Sequence, residues 1–130
     1  MTETKPESAR SKREAEREIS RAIVRFEKEF MGRGPLNVRT FLIEDMVLVR
    51  LANVLTPAEL KLAESGTAER GGALIKQMRQ ELIHQGRPLL DAVIHDVLGI
   101  DVVSLHTDIS AKTGERIIVF TLASEPTLPG

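Results

Sequence analysis

The chain has 130 residues, 42% of them hydrophobic and 28% charged, and a formal net charge of −1. That length suits one domain with a modest core, and the near-neutral balance excludes a global field that would gather nucleic acid or anionic lipid. Cysteine is absent, which excludes disulfides, a thiolate nucleophile and Cys-ligated metal.

The opening residues, "MTETKPESARSKREAEREIS", lack the apolar core of a signal peptide, and no apolar run approaches the roughly 18 residues of a membrane span. We expect a cytoplasmic protein with no direct membrane insertion. A helical pattern extends from about residue 7 to residue 31, with Ile19, Ala22, Ile23, Phe26 and Phe30 forming one apolar stripe. Its first half mixes acids and bases three or four residues apart, which supports a solvated helix with little burial. Residues 1–16 are therefore expected as a charged extension, followed by a single domain over 17–124 and an irregular tail over 125–130. Glu14, Glu16 and Glu18 among the arginines argue against a basic arm for nucleic acid.

The helix runs into "MGRGPLNV". One reading is a nest of backbone N–H groups holding an anion, with Arg33 as the countercharge. The glycines, however, follow a helix and meet the negative end of its dipole, where an anion is disfavoured and an arginine is welcome. Gly32 is expected to end the helix, Pro35 to stop it, and Gly34 to serve a turn or close packing. Gly34→Ala should then cost stability while Arg33→Ala should cost little.

"LNVRTFLIED" and "MVLVRL" are rich in β-branched and aliphatic residues and predict a hairpin turning at Glu44 and Asp45. In "LTPAELKLAES", Thr56 can cap a helix, Pro57 suits its first turn, and Glu59 completes a capping box. This helix should stop near residues 65–66, with "GTAERGG" as a flexible connection. A long helix follows over about 73–98, keeping one apolar phase through Pro88, so we expect one bent helix rather than two. "IDVVSLHTDIS" and "ERIIVFTLA" predict a second hairpin around "AKTG". The order is α-β-β-α-α-β-β, an α+β fold whose two hairpins form one antiparallel or mixed sheet. Each half runs helix, glycine, hairpin, which suits either duplication or common α+β topology.

Along the strands, Val38 and Leu42 oppose Phe41 and Ile43, while Ile118, Phe120 and Leu122 oppose Ile117 and Val119. Both sheet faces are apolar. Either the helices divide between them, or another subunit covers one, and the aliphatic character of both favours a homodimer.

Chemistry is sparse. His84 and His95 lie roughly 16 Å apart along a helix, too far to share a metal. His106 and Asp108 alternate onto one strand face, but Ser104, about 7 Å from His106, is too distant for a nucleophile–base hydrogen bond. Glu44 and Asp45 belong to a turn, and Asp91 and Asp96 do not share a helical face. We expect no catalytic residue, metal or cofactor. With no Trp or Tyr, and four Phe on apolar stripes or strands, nucleic-acid binding is not expected either.

"GRGPLNVRTFLIEDMVLVRL", followed by "LTPAELKLAE", the long helix and "LGIDVVSLHTDIS…RIIVFTL", resembles the MpsC-like family over about residues 17–123. Gly32, Gly34, Pro35, Leu55, Thr56, Pro57, Glu59 and Arg79 match its recurrent pattern. The resemblance implies a small cytoplasmic protein associated with a cation-translocating, membrane-potential-generating system. Companion components of such systems resemble inorganic-carbon uptake machinery, and the family has no assigned catalytic mechanism. The expected function is that of a noncatalytic accessory or regulatory protein docking on a membrane-associated transporter complex. The alternative is a small-anion sensor using Arg33, Arg39 or Arg79.

Overall fold

The computed structural model describes residues 10–64 and 68–129. Helix α1 spans Lys12–Phe30, strands β1 and β2 span Asn37–Ile43 and Met46–Ala52, and helices α2 and α3 span Pro57–Glu64 and Ala68–Leu98. Strands β3 and β4 span Val102–Ile109 and Arg116–Leu122. The order is the expected α-β-β-α-α-β-β, and the sheet is fully antiparallel in the order β1-β2-β4-β3. The two hairpins meet through β2 and β4, so α1-β1-β2 and α3-β3-β4 are arranged topologically about an approximate two-fold.

Helix α1 starts later than its charge pattern suggested. Ser11 caps it, its hydroxyl accepting from the Glu14 N–H at 3.1 Å while the Glu14 carboxylate accepts from the Ser11 N–H at 2.8 Å. This is a capping box hidden inside a run of charges. The segment is also less solvated than expected: Ala15 is fully buried, and the Glu16 carboxylate accepts the Leu42 N–H at 2.9 Å on the edge strand β1. Residues 1–9, expected as polar chain entering the helix, lie outside the described residues. The 125–129 tail has no regular structure but is tied back, since the Lys12 N–H donates to the Pro129 carbonyl at 3.0 Å.

Helix α3 begins at Ala68, five residues before its expected start, and runs unbroken through Pro88 to Leu98. Part of the expected flexible connection is thus helical, and its remainder, residues 65–67, lies outside the described residues. The physical reason is close packing. A Cβ on Gly71 would stand 2.3 Å from the Leu62 carbonyl oxygen, so glycine is what lets α3 approach α2. On the same helix a Cβ at Gly86 would lie 2.6 Å from the Phe26 ring of α1.

The inward strand residues are Thr40 and Leu42, Val47, Val49 and Leu51, and Ile118, Phe120 and Leu122, all buried against Ile19, Ile23 and Phe26 of α1 and Ile75, Ile83, Leu90 and Ile94 of α3. Both long helices therefore lie on one face. The other face carries Phe41, Ile43, Met46, Leu48, Ile117 and Val119, none of them buried. Of the two arrangements the strand pattern allowed, the helices do not divide.

Candidate functional site

The residues singled out by the sequence converge on one corner. After β2 the chain leaves the sheet through Asn53, at φ 56°, and the carbonyls of residues 54 and 55 have no strand partner. Two arginines supply the missing donors. Arg79 of α3 donates through Nη2 to the Val54 carbonyl at 3.0 Å, and Arg33 donates through Nη1 to the Leu55 carbonyl at 2.6 Å. The Val54 N–H is held by the Gly114 carbonyl at 2.9 Å, which ties in the β3–β4 turn.

The expected capping box forms at the start of α2. The Thr56 N–H donates to Glu59 Oε1 at 2.8 Å, and the Glu59 N–H donates to Thr56 Oγ1 at 3.2 Å. Glu59 has a second task, because Arg79 grips it in a two-pronged fork, Nε to Oε2 at 3.0 Å and Nη2 to Oε1 at 2.6 Å. Burial pushes the Glu59 carboxyl up, but the Arg79 guanidinium and the Thr56 donors outweigh it and hold the group below its ordinary value. Pro57, exposed at the first turn, supplies the fixed φ that suits that position. The helix-start motif and Arg79, distant in sequence, are one structural unit.

The glycine and proline turn is placed as a helix end. Gly32 has φ +88° with open space where a Cβ would sit, so its demand is conformational. The Glu27 carbonyl accepts both the Met31 N–H at 3.0 Å and the Arg33 N–H at 3.3 Å. Gly34 has no positive φ, and a Cβ there would meet only the flexible Lys28 stem at 3.0 Å. The conformational demand expected at Gly34 falls on Gly32, and Arg33 is half-buried and bonded rather than idle. Pro35 follows in the loop before β1.

Two further residues complete the site, and neither was anticipated. Glu27 of α1 is 0% exposed and Arg116 of β4 is 1% exposed, beside Arg79 at 2%. Arg79 Nη1 lies 3.8 Å from Glu27 Oε1, and Arg116 Nη1 donates to Thr107 Oγ1 at 3.1 Å. Both Glu27 carboxylate oxygens, Arg79 Nη1, and Nε and Nη2 of Arg116 lack a hydrogen-bond partner among the described residues. Burial pushes the Glu27 carboxyl up more than Arg116 and Arg79 pull it down, and burial holds Arg116 below its ordinary value. Two guanidiniums and two carboxylates thus meet at this corner, where removing one partner of a buried pair costs more than the pair itself contributes. A signal for both residues was present in the sequence. Glu27 falls within the Ile23, Phe26, Phe30 stripe, and Arg116 shares strand parity with Ile118, Phe120 and Leu122.

The other candidates stay apart. Asp108 Oδ1 accepts from the Ile109 N–H at 2.9 Å and pairs with Lys76 at 3.3 Å, and among the described residues no hydrogen bond joins it to His106. His84 is exposed, and His95 sits 3.7 Å from Asp101. Arg39 is stacked over Phe41 at 5.3 Å and lines a cleft of about 410 Å³ with Arg13, Arg17, Glu16 and Ser20. Among the described residues no helix is long and apolar enough to cross a membrane.

Comparison with known proteins agrees with the resemblance. The chain is 41% identical over 116 residues to the uncharacterized protein YbcI of Bacillus subtilis (strain 168), covering 89% of this chain and 91% of that protein. No solved structure matches it. The family described as "Na+-translocating membrane potential-generating system (MpsC)" matches residues 11–124, which include every element described above, and the chain belongs to that family.

Proposed function

We propose that this protein is a noncatalytic accessory or regulatory component of a cation-translocating, membrane-potential-generating system, acting from the cytoplasmic side through a protein partner, with inorganic-carbon uptake as its setting. The family description supports the system. The observation that carries the noncatalytic reading is the engagement of Arg79 within the fold. Its guanidinium is spent on Glu59 and the Val54 carbonyl at 2% exposure, so the residue best suited to hold an anionic substrate holds the fold instead. Arg33 is spent in the same way on Leu55. Among the described residues no hydrogen bond joins His106 to Asp108, whose partners are the Ile109 N–H and Lys76.

The test is crosslinking in cells, followed by purification from membranes and mass spectrometry. A cation-translocating membrane subunit crosslinked in constant ratio to this protein is the expected result. Recovery of this protein from the soluble fraction alone, with no membrane component, contradicts the proposal.

A second reading, a sensor of a small oxyanion, is favoured by one observation. Arg13, Arg17 and Arg39 face a common cleft, where the one carboxylate, Glu16, is already engaged by the Leu42 N–H. Titration with bicarbonate and phosphate, read by calorimetry on wild type and Arg39→Ala, separates this reading from the first.

A further inference from the structure

The outer sheet face is a grid whose rows follow the strand register. One row runs Arg39, Arg50, Ile117, Asp108 from β1 through β2 and β4 to β3; the next runs Phe41, Leu48, Val119, His106; the third runs Ile43, Met46, Thr121, Ser104. Its middle is aliphatic, no helix among the described residues lies over it, and Ile43 is 43% exposed. The charges lie at the rims and differ in sign, Arg39 on one edge strand and Asp108 on the other, in the same row.

We infer that a second copy of this chain covers this face, about a two-fold axis that runs parallel to the strands between β2 and β4. That axis exchanges β1 with β3 and β2 with β4 while keeping each row. It sets Arg39 against Asp108 of the second copy, Phe41 against its His106, and Leu48 against its Val119. An axis perpendicular to the strands would exchange the rows instead, stacking Arg39 over Ile43 and Asp108 over Ser104, so that neither rim charge meets an opposite charge; Arg50 meets an aliphatic residue under either axis, Ile117 or Met46. The face is therefore self-complementary in one of the two orientations, as an isologous interface requires. Asp108 is prepared for it: the Ile109 N–H and Lys76 both engage Oδ1, leaving Oδ2 without a partner among the described residues. Its side chain is 78% exposed. Four strands by seven residues give a footprint of about 19 by 23 Å, and aligned sheets pack face to face about 10 Å apart. Counted on both copies with side-chain relief, that footprint reaches the roughly 1,000 Å² at which specific interfaces begin.

Sedimentation equilibrium and light scattering test the proposal on the full chain. Wild type should run at twice the 14.4 kDa chain mass at tens of micromolar. Leu48→Glu, at the centre of the face, should give a folded monomer by circular dichroism. The rim charges test the axis without touching the core. Arg39→Asp or Asp108→Arg alone should raise the dimer dissociation constant by about tenfold or more, through like charges set opposite each other twice. Arg39→Asp combined with Asp108→Arg should restore it. Monomeric wild type overturns the proposal, as does a Leu48→Glu dimer as tight as wild type. A charge swap that leaves the double variant as weak as the singles overturns the axis, and should Leu48→Glu fail to fold, the swap still decides.

Discussion

Arg33 and Gly34 exchange the importance that residue chemistry alone suggested. Removing Arg33 deletes a charge-assisted bond of 2.6 Å to the carbonyl of the buried Leu55, so Arg33→Ala should cost about 1.5 kcal/mol. Gly32→Ala should cost about 1 kcal/mol, because alanine resists φ +88°. Gly34→Ala should stay within about 0.5 kcal/mol, since the exposed Lys28 stem swings aside. Urea denaturation of the three variants checks this order, and a Gly34→Ala cost above that of Arg33→Ala would contradict it.

The titrating groups of the core pull stability in opposite directions. The folded Glu59 carboxyl lies below its ordinary 4.5, so its contribution is complete above that value and is lost as pH falls through the folded one. The folded Glu27 carboxyl lies above 4.5, so stability declines as pH rises from there through its folded value, where the native state surrenders a proton the unfolded chain has already lost. Glu27→Gln should flatten the decline on the alkaline side of the stability optimum and leave the acid limb in place. An unchanged alkaline limb would show that Glu27 does not titrate within the fold.

Among the elements, the tightest demand is the crossing of α2 and α3. Gly71→Ala places a Cβ 2.3 Å from a backbone oxygen, which cannot rotate away, and should cost about 2–3 kcal/mol by thermal or chemical denaturation. The buried charges that join α1, α3 and β4 predict a non-additive pair. Arg116→Met alone leaves Glu27 buried with one weak partner and should cost about 3 kcal/mol, whereas Glu27→Leu with Arg116→Met should return to within about 1 kcal/mol of wild type. Additive losses in that double-mutant cycle would mean the two side chains act independently.

What the sequence disclosed about these elements follows from the range of the forces involved. The hairpins and the Thr56 capping box depend on neighbours within a few residues, and both were legible. The start of α1 was misplaced because Ser11 and Glu14 read as two more charges and hydroxyls in a solvated stretch. The first turn of α3 was missed because glycines that signal flexibility locally signal close approach once another helix is alongside. Glu27 and Arg116 needed the tertiary fold. Each lay on an apolar stripe, but only the meeting of α1, α3 and β4 gives either a reason to be buried.

At the scale of the whole molecule, the described helices on one face and the aliphatic grid on the other divide the protein into a covered side and an uncovered side. Arg33, Thr56, Glu59 and Arg79 sit on the covered side, where they join the end of α1, the start of α2 and the middle of α3. On the proposed reading, function belongs to surfaces rather than to a reacting centre, and the arginine corner is scaffold. That claim is tested most directly by thermal melts of wild type, Arg33→Ala and Arg79→Lys with bicarbonate, phosphate and small carboxylates at constant ionic strength. The account predicts that Arg79→Lys, which loses the fork, and Arg33→Ala melt lower than wild type by the same margin with and without every anion. An anion that raises the wild-type midpoint, with the rise abolished in Arg33→Ala or Arg79→Lys, would show that the corner binds a ligand and would contradict the account.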